Sequence, residues 1–193
     1  IINNYSFLEK LTNHSSYNFY SNSLIIFSII LFYLLPFLML ARKQLIIYLQ
    51  DNLKLIIISF IFFLSILLLD YYFENKILRF SELGGGVFVK IANYANIKLP
   101  LFLSLISFIS FLSLDFFFKE KRFENYFLLF ILVLSFPILT IYQKYFDPLF
   151  FLFFFGLVKS NQIRHFLTGS AQNLKMIYTY FFSFYLFSFI YYL

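Results

Sequence analysis

Polar residues in this chain do not recur with a helical or strand period. They are gathered into short breaks between long apolar runs, at roughly 23–41, 54–73, 99–118, 124–142, 148–158 and 175–193. A helix needs about 20 apolar residues to cross the hydrocarbon core of a bilayer, within a range of roughly 17–25. Five runs meet that length. The fifth, 148–158, reads as a short span, a tilted longer helix or a half-inserted segment. A span is favoured because Phe150–Phe155 is wholly apolar. Continuous runs, rather than alternating ones, argue for helices and against a barrel. The pattern predicts an all-α, polytopic transmembrane helical bundle of about six spans. An outer-face loop joins spans two and three, and residues 1–22 form the end of an outer-face loop.

Residues inside the runs refine this. Pro100 suits the first turn of span three, where its missing N–H costs nothing. Pro36 and Pro137 fall inside spans one and four and should kink them. Ser104, Ser107, Ser110 and Ser113 recur every three residues along span three. Small residues in such a stripe mark helix–helix contact.

Composition removes the soluble alternative. Of 193 residues 62% are hydrophobic and 12% charged, against about 25% charged in a soluble domain. A soluble fold of this size could not hide that much apolar surface. The net charge of +6 would suggest nucleic acid in a soluble chain. Here the bases sit in short loops beside apolar runs, where they set orientation, and no nucleic-acid partner is expected. Arg42, Lys43, Lys54, Lys119, Lys121, Arg122, Lys159, Arg164 and Lys175 fall in alternate loops, which are assigned to the cytoplasm. The opposite face then holds residues 1–22, 74–98 and the turn 143–147. The absence of cysteine removes disulfides, thiolate metal sites and cysteine nucleophiles. His14 and His165 are far apart, and no metal or cofactor is implied. The chain opens on Ile1 and a polar stretch without a basic n-region. It is expected to be the C-terminal part of a longer integral membrane protein, in a bacterial inner membrane or the endoplasmic reticulum.

Two polar breaks on the outer side carry candidate chemistry. Tyr142-Gln143-Lys144-Tyr145-Phe146-Asp147-Pro148 reads either as a tight hairpin with interfacial tyrosines and a snorkelling lysine, or as a cationic cluster. In the second case Lys144 holds a phosphate as a point charge, Asp147 orients it and the tyrosines stack on a sugar. Gly84-Gly85-Gly86 is not a P-loop, since no GK[ST] follows. It is either a flexible joint or a place where backbone amides approach a phosphate, with Lys90 and Lys98 near in sequence. Asp70 reads as a solvated helix end. Asp115 is expected to pair with Lys119 one turn on. Asn4 and Asn13 begin formal glycosylation sequons. No catalytic constellation is complete.

Gly84-Gly85-Gly86-Val87-Phe88-Val89 followed by Ile97-Lys98-Leu99-Pro100-Leu101-Phe102 resembles a pattern in the dolichyl-phosphate-glucose alpha-1,2-glucosyltransferases. Gln143-Lys144-Tyr145 with Asp147-Pro148 resembles the basic-tyrosine entry to a late span in GT-C polyprenyl-phosphate-sugar transferases. The aspartate and histidine that follow the glycines in the first family are replaced here by the neighbourhood of Lys90 and Asn93. The resemblance covers about residues 77–158. It implies a GT-C-type hexosyltransferase using membrane lipid, a polyprenyl-phosphate sugar donor and a glycan acceptor. Its catalytic carboxylate would lie outside this chain. Lys90, Lys144 and Tyr145 would contact phosphate, with Asp147 and Gly84, Gly85 and Gly86 shaping the site. The alternatives are a lipid-linked glycan carrier or a structural subunit of a membrane complex.

Overall fold

The computed structural model describes residues 19–73, 78, 80, 85–135, 141 and 143–192. These form α1 (Phe19–Asp51), α2 (Leu53–Tyr72), α3 (Gly86–Tyr94), α4 (Leu99–Phe118), α5 (Arg122–Leu134), α6 (Gln143–Phe151), α7 (Asn161–Thr168) and α8 (Ala171–Tyr192). A single π-helical turn, Leu152–Leu157, continues α6. No strand occurs among the described residues. The fold is an all-α bundle of membrane type. By length and composition α1, α2 and α4 are each able to cross a membrane.

The central element is α1, which packs against α4 most extensively and also touches α2, α3, α5, α7 and α8. Its face through Ile26, Ile29, Ile30, Tyr33 and Leu34 is buried. The peripheral element is α2, where Ile57, Ile58, Phe60, Ile61, Phe62 and Leu64 are all exposed. Six large apolar groups exposed on one helix suit a hydrocarbon medium.

The serine stripe lies where α4 meets the bundle. Ser104, Ser107, Ser110 and Ser113 are all buried, and Ser107 Oγ donates to the Leu24 carbonyl of α1 at 3.0 Å. Small side chains let the two backbones approach closely enough for that bond. Pro100 sits in the first turn of α4, as its lack of an N–H requires.

Helix α1 cannot be straight. It meets α4 at Leu24–Ser107 and again at Tyr48–Asp115. At 1.5 Å per residue these points lie about 36 Å apart on a straight α1 but about 12 Å apart on α4. The reach of a tyrosine and an aspartate does not close that gap, so α1 bends. Pro36 lies inside the interval and removes one helical hydrogen bond there. The bend explains why the helix runs to Asp51, past the run 23–41, while Arg42, Lys43 and Gln44 stay exposed. Asn52 then separates α1 from α2, its Nδ2 donating to the Tyr48 carbonyl at 2.8 Å.

Three local expectations meet a different outcome. The polar turn 143–147 is helical from Gln143, and Pro148 lies inside that helix, where it removes one intrahelical hydrogen bond. The glycines are not simply a joint, since α3 starts at Gly86. An amphipathic helix absent from the sequence reading, α7, follows the run 148–158. Ser160 caps it, accepting from the Ile163 N–H at 3.4 Å. Pro137, Tyr142, His14, both sequons and residues 74–77 lie outside the described residues.

Candidate functional site

The glycine element and the Gln143–Pro148 segment come together. Gly85 donates its N–H to the Ile141 carbonyl at 2.7 Å. Val87 donates its N–H to Gln143 Oε1 at 3.1 Å. Gly85 and Gly86 have φ of +82° and +80°, the left-handed region that glycine enters without steric cost. A β-carbon on Gly86 would stand 3.0 Å from Gln143 Oε1 and 3.1 Å from Ile29 Cγ1. Glycine is therefore needed at position 86 twice, for its backbone angle and for the approach of α3 to α1 and α6.

The amide of Gln143 is oriented by this contact. Its oxygen must face the Val87 N–H, which leaves Nε2 as the outward donor. That nitrogen is buried and meets no acceptor among the described residues. A buried amide donor without a partner carries a desolvation cost of about 1–3 kcal/mol, which a ligand oxygen would remove.

Next along α6, Asp147 accepts from the Tyr33 hydroxyl. The Tyr33 ring stacks on Phe150 at 4.3 Å, and Phe150 stacks on Phe154 at 4.3 Å. This aromatic column fixes α6 and the π turn against α1. The junction thus sits beside Ile29 and Tyr33, near the middle of α1. The sequence had placed residues 143–147 at an outer boundary. Lys90 is exposed on α3. Gly84 and the side chains of Lys144 and Tyr145 lie outside the described parts, so Gly85, Gly86 and Asp147 are the expected site residues whose neighbours are known.

A second polar centre joins α1, α4 and α5, around a residue that reads from sequence only as one half of a local ion pair. Asp115, 3% exposed, accepts from the Tyr126 hydroxyl at 2.8 Å, from Arg122 Nη2 at 3.2 Å and from the Tyr48 hydroxyl. Arg122 Nη2 also reaches the Tyr48 oxygen at 2.9 Å. The expected partner, Lys119, instead stands 5.8 Å from the Phe116 ring centroid. Arg122 wins because it approaches from the start of α5, whereas Lys119 follows the end of α4 and is exposed. Three donors satisfy the hydrogen-bonding capacity of this buried carboxyl group. The spacing Asp115, Arg122, Tyr126 shows only the α5 pair as one helical turn. The contribution of Tyr48, 67 residues away, has no local signal.

Beside this centre Asn125 exchanges two bonds with the Lys159 backbone, 3.1 Å to its carbonyl and 3.0 Å from its N–H. Glu124 pairs with Lys159 at 2.8 Å, and Glu120 accepts from the Asn161 N–H at 3.0 Å. The start of α5 is thereby tied to the entry of α7. Asp70 belongs to neither centre. It is buried rather than solvated and accepts from the Leu78 N–H at 2.7 Å, holding the chain after α2 against the bundle.

No protein-family model, no curated protein and no solved structure matches this chain.

Proposed function

We propose that this chain is the C-terminal membrane part of a multi-pass glycosyltransferase of GT-C type, which takes a sugar from a polyprenyl-phosphate donor and passes it to a lipid-linked or cell-envelope glycan. One observation supports this reading above others. The two segments that carry the resemblance, 56 residues apart, share one junction through Val87 and Gln143. That junction holds a buried amide donor that meets no acceptor among the described residues and a carboxyl group, Asp147, held by Tyr33. In this reading Gln143 Nε2 and Lys144 contact donor oxygens, Gly86 lets the backbone come close, and the base that deprotonates the acceptor hydroxyl comes from outside this chain.

The test is donor use by the full-length protein in native membranes, with a labelled polyprenyl-phosphate hexose. Lys144→Ala should lower transfer at least ten-fold while leaving the protein folded. Unchanged transfer in that variant removes the assignment. Single cysteines at Lys90, Lys144 and Lys159, labelled from one side with an impermeant thiol reagent, check the geometry. Positions 90 and 144 should label together and 159 from the other face.

A second reading, a carrier for a lipid-linked glycan, draws on one specific observation. Gln143 and Asp147 lie beside the middle of α1, and polar groups at the midplane, flanked by short interrupted helices, are characteristic of carriers. Substrate exchange across sealed vesicles without any sugar transfer would favour that reading over the transferase.

A further inference from the structure

An open groove of about 470 Å³ runs between α1 and α8, walled by Met39 of α1 and by Gln172, Lys175, Met176, Thr179 and Tyr180 of α8. None of these residues belongs to the glycine junction. The two helices are antiparallel. The Tyr180 hydroxyl donates to the Phe32 carbonyl at 3.0 Å, and the rings of Phe32 and Phe184 stand 4.5 Å apart, whereas Met39 meets the part of α8 that precedes Tyr180.

Polarity changes along the groove. One end is the Tyr180 ring, whose hydroxyl is committed to α1, and Met39 and Met176 supply adaptable apolar walls. Thr179 Oγ1 is committed to the Lys175 carbonyl at 2.8 Å. At the other end Gln172 and Lys175 are exposed. Arg42 and Lys43 follow Met39 by three and four residues, which sets them on its face of α1, one turn on. In an antiparallel pair that turn lies beside the start of α8. Both are exposed. Among the described residues no ion pair involves Arg42, Lys43 or Lys175. Helix α7 packs against both walls and adds Arg164 and His165, both exposed. The three helices hold one acid between them, Asp51, about 18 Å beyond Met39 along α1. The positive charge at this end of the groove is therefore not offset locally.

Met39 lies near the end of the apolar run 23–41, and Lys175 opens the run 175–193. The basic end thus falls at a hydrocarbon boundary and the tyrosine end within the apolar layer. An apolar trough that leads to a lysine in its own wall has the polarity of an anionic phospholipid. Basic pockets between spanning helices recognise such head groups.

We infer that the groove between α1 and α8 binds one anionic phospholipid, its phosphate at Lys175 beside Arg42 and Lys43, and an acyl chain along Met39, Met176 and the Tyr180 ring. The site is independent of the choice between transferase and carrier. It rests on the bundle being embedded in a membrane.

The test is native mass spectrometry of the full chain, delipidated in detergent and titrated with phosphatidylglycerol or phosphatidylcholine. The expected result is one retained phosphatidylglycerol, bound at least five-fold tighter than phosphatidylcholine. Lys175→Gln, at an exposed position, should weaken phosphatidylglycerol by about five-fold and leave phosphatidylcholine unchanged. Lys54→Gln removes the same charge from an exposed position on α2, outside the groove, and should change neither lipid. Thr179→Phe fills the groove from an exposed position of α8 and should abolish the retained lipid. Equal binding of the two lipids to the unmodified protein overturns the inference, as does Lys175→Gln without effect. An equal loss in Lys54→Gln shows attraction by net charge alone and overturns it too, and so does full retention in Thr179→Phe.

Discussion

At the scale of single residues, the strongest commitments are at Asp115 and Gly86. Asp115→Ala would leave two tyrosine hydroxyls and the Arg122 guanidinium without their shared acceptor. Leaving a buried donor unpaired costs about 1–3 kcal/mol, while Arg122, half exposed, can turn to water. Tyr126→Phe removes one neutral donor and should cost about 1 kcal/mol. The order of the two, read from thermal unfolding in detergent, is the expected outcome. Gly86→Ala forces both a left-handed backbone angle and a contact with Ile29 and Gln143. It should cost about 1–3 kcal/mol and weaken the α3–α6 junction, seen as faster hydrogen exchange at Val87. Glu124, at the exposed start of α5, has its carboxyl held below the usual carboxylate range by its hydrogen bond and charge pairing with Lys159. A depressed folded value means this contribution is complete above the unfolded pKa and disappears as pH falls through the folded one. The acid-side fall in thermal midpoint should therefore be smaller in Glu124→Gln. Asp115 and Gly86 were both visible as residues, but their partners were not. The sequence offers Lys119 to Asp115 because local spacing suggests it, and the fold offers Arg122, Tyr48 and Tyr126 instead.

At the scale of elements, apolar run length placed α2 and α4 with little ambiguity, since each is one uninterrupted run bounded by polar residues. Where a helix crosses a polar break, run length is a poor guide. Helix α1 continues through Arg42 and Lys43 because charged side chains can remain exposed on a bent helix at a membrane surface. Helix α6 begins in residues that hydropathy assigns to a turn, because the partners of its polar groups, Val87 and Tyr33, come from distant segments. The lipid-facing role given to α2 makes a sharp prediction. Ile61 is 58% exposed, a position where aspartate would be harmless in water. At the centre of a spanning helix it should cost about 2.5–3.5 kcal/mol. Ile61→Asp should therefore move a substantial fraction of the protein into the alkali-extractable pool, whereas Lys54→Asp should not.

At the scale of the whole molecule, two polar centres occupy a bundle whose interior is otherwise mostly aromatic and aliphatic, with the serine stripe of α4 and Asp70 as further buried polar groups. One gathers the glycines, Gln143, Asp147 and Tyr33 near the middle of α1. The other ties α1, α4 and α5 through Asp115, and the adjoining bonds of Asn125, Glu124 and Glu120 tie α5 to the entry of α7. The sequence by itself determined the medium and the class of fold. Hydrophobicity summed along a run is a property of composition and order, and it needs no knowledge of neighbours. It also marked the serine stripe, because a three-residue spacing on a helix describes a face before that face has a partner. Only the tertiary structure decided what each polar residue does. Asp70 became a buried acceptor, Gln143 an amide turned toward α3, and Asp115 the centre of a three-donor network. A polar group beside hydrocarbon takes whichever partner the packing brings within about 3 Å. Here those partners come from elsewhere in the bundle, 114 residues away for Tyr33 and Asp147 and 148 for Tyr180 and the Phe32 carbonyl, and no local spacing encodes them.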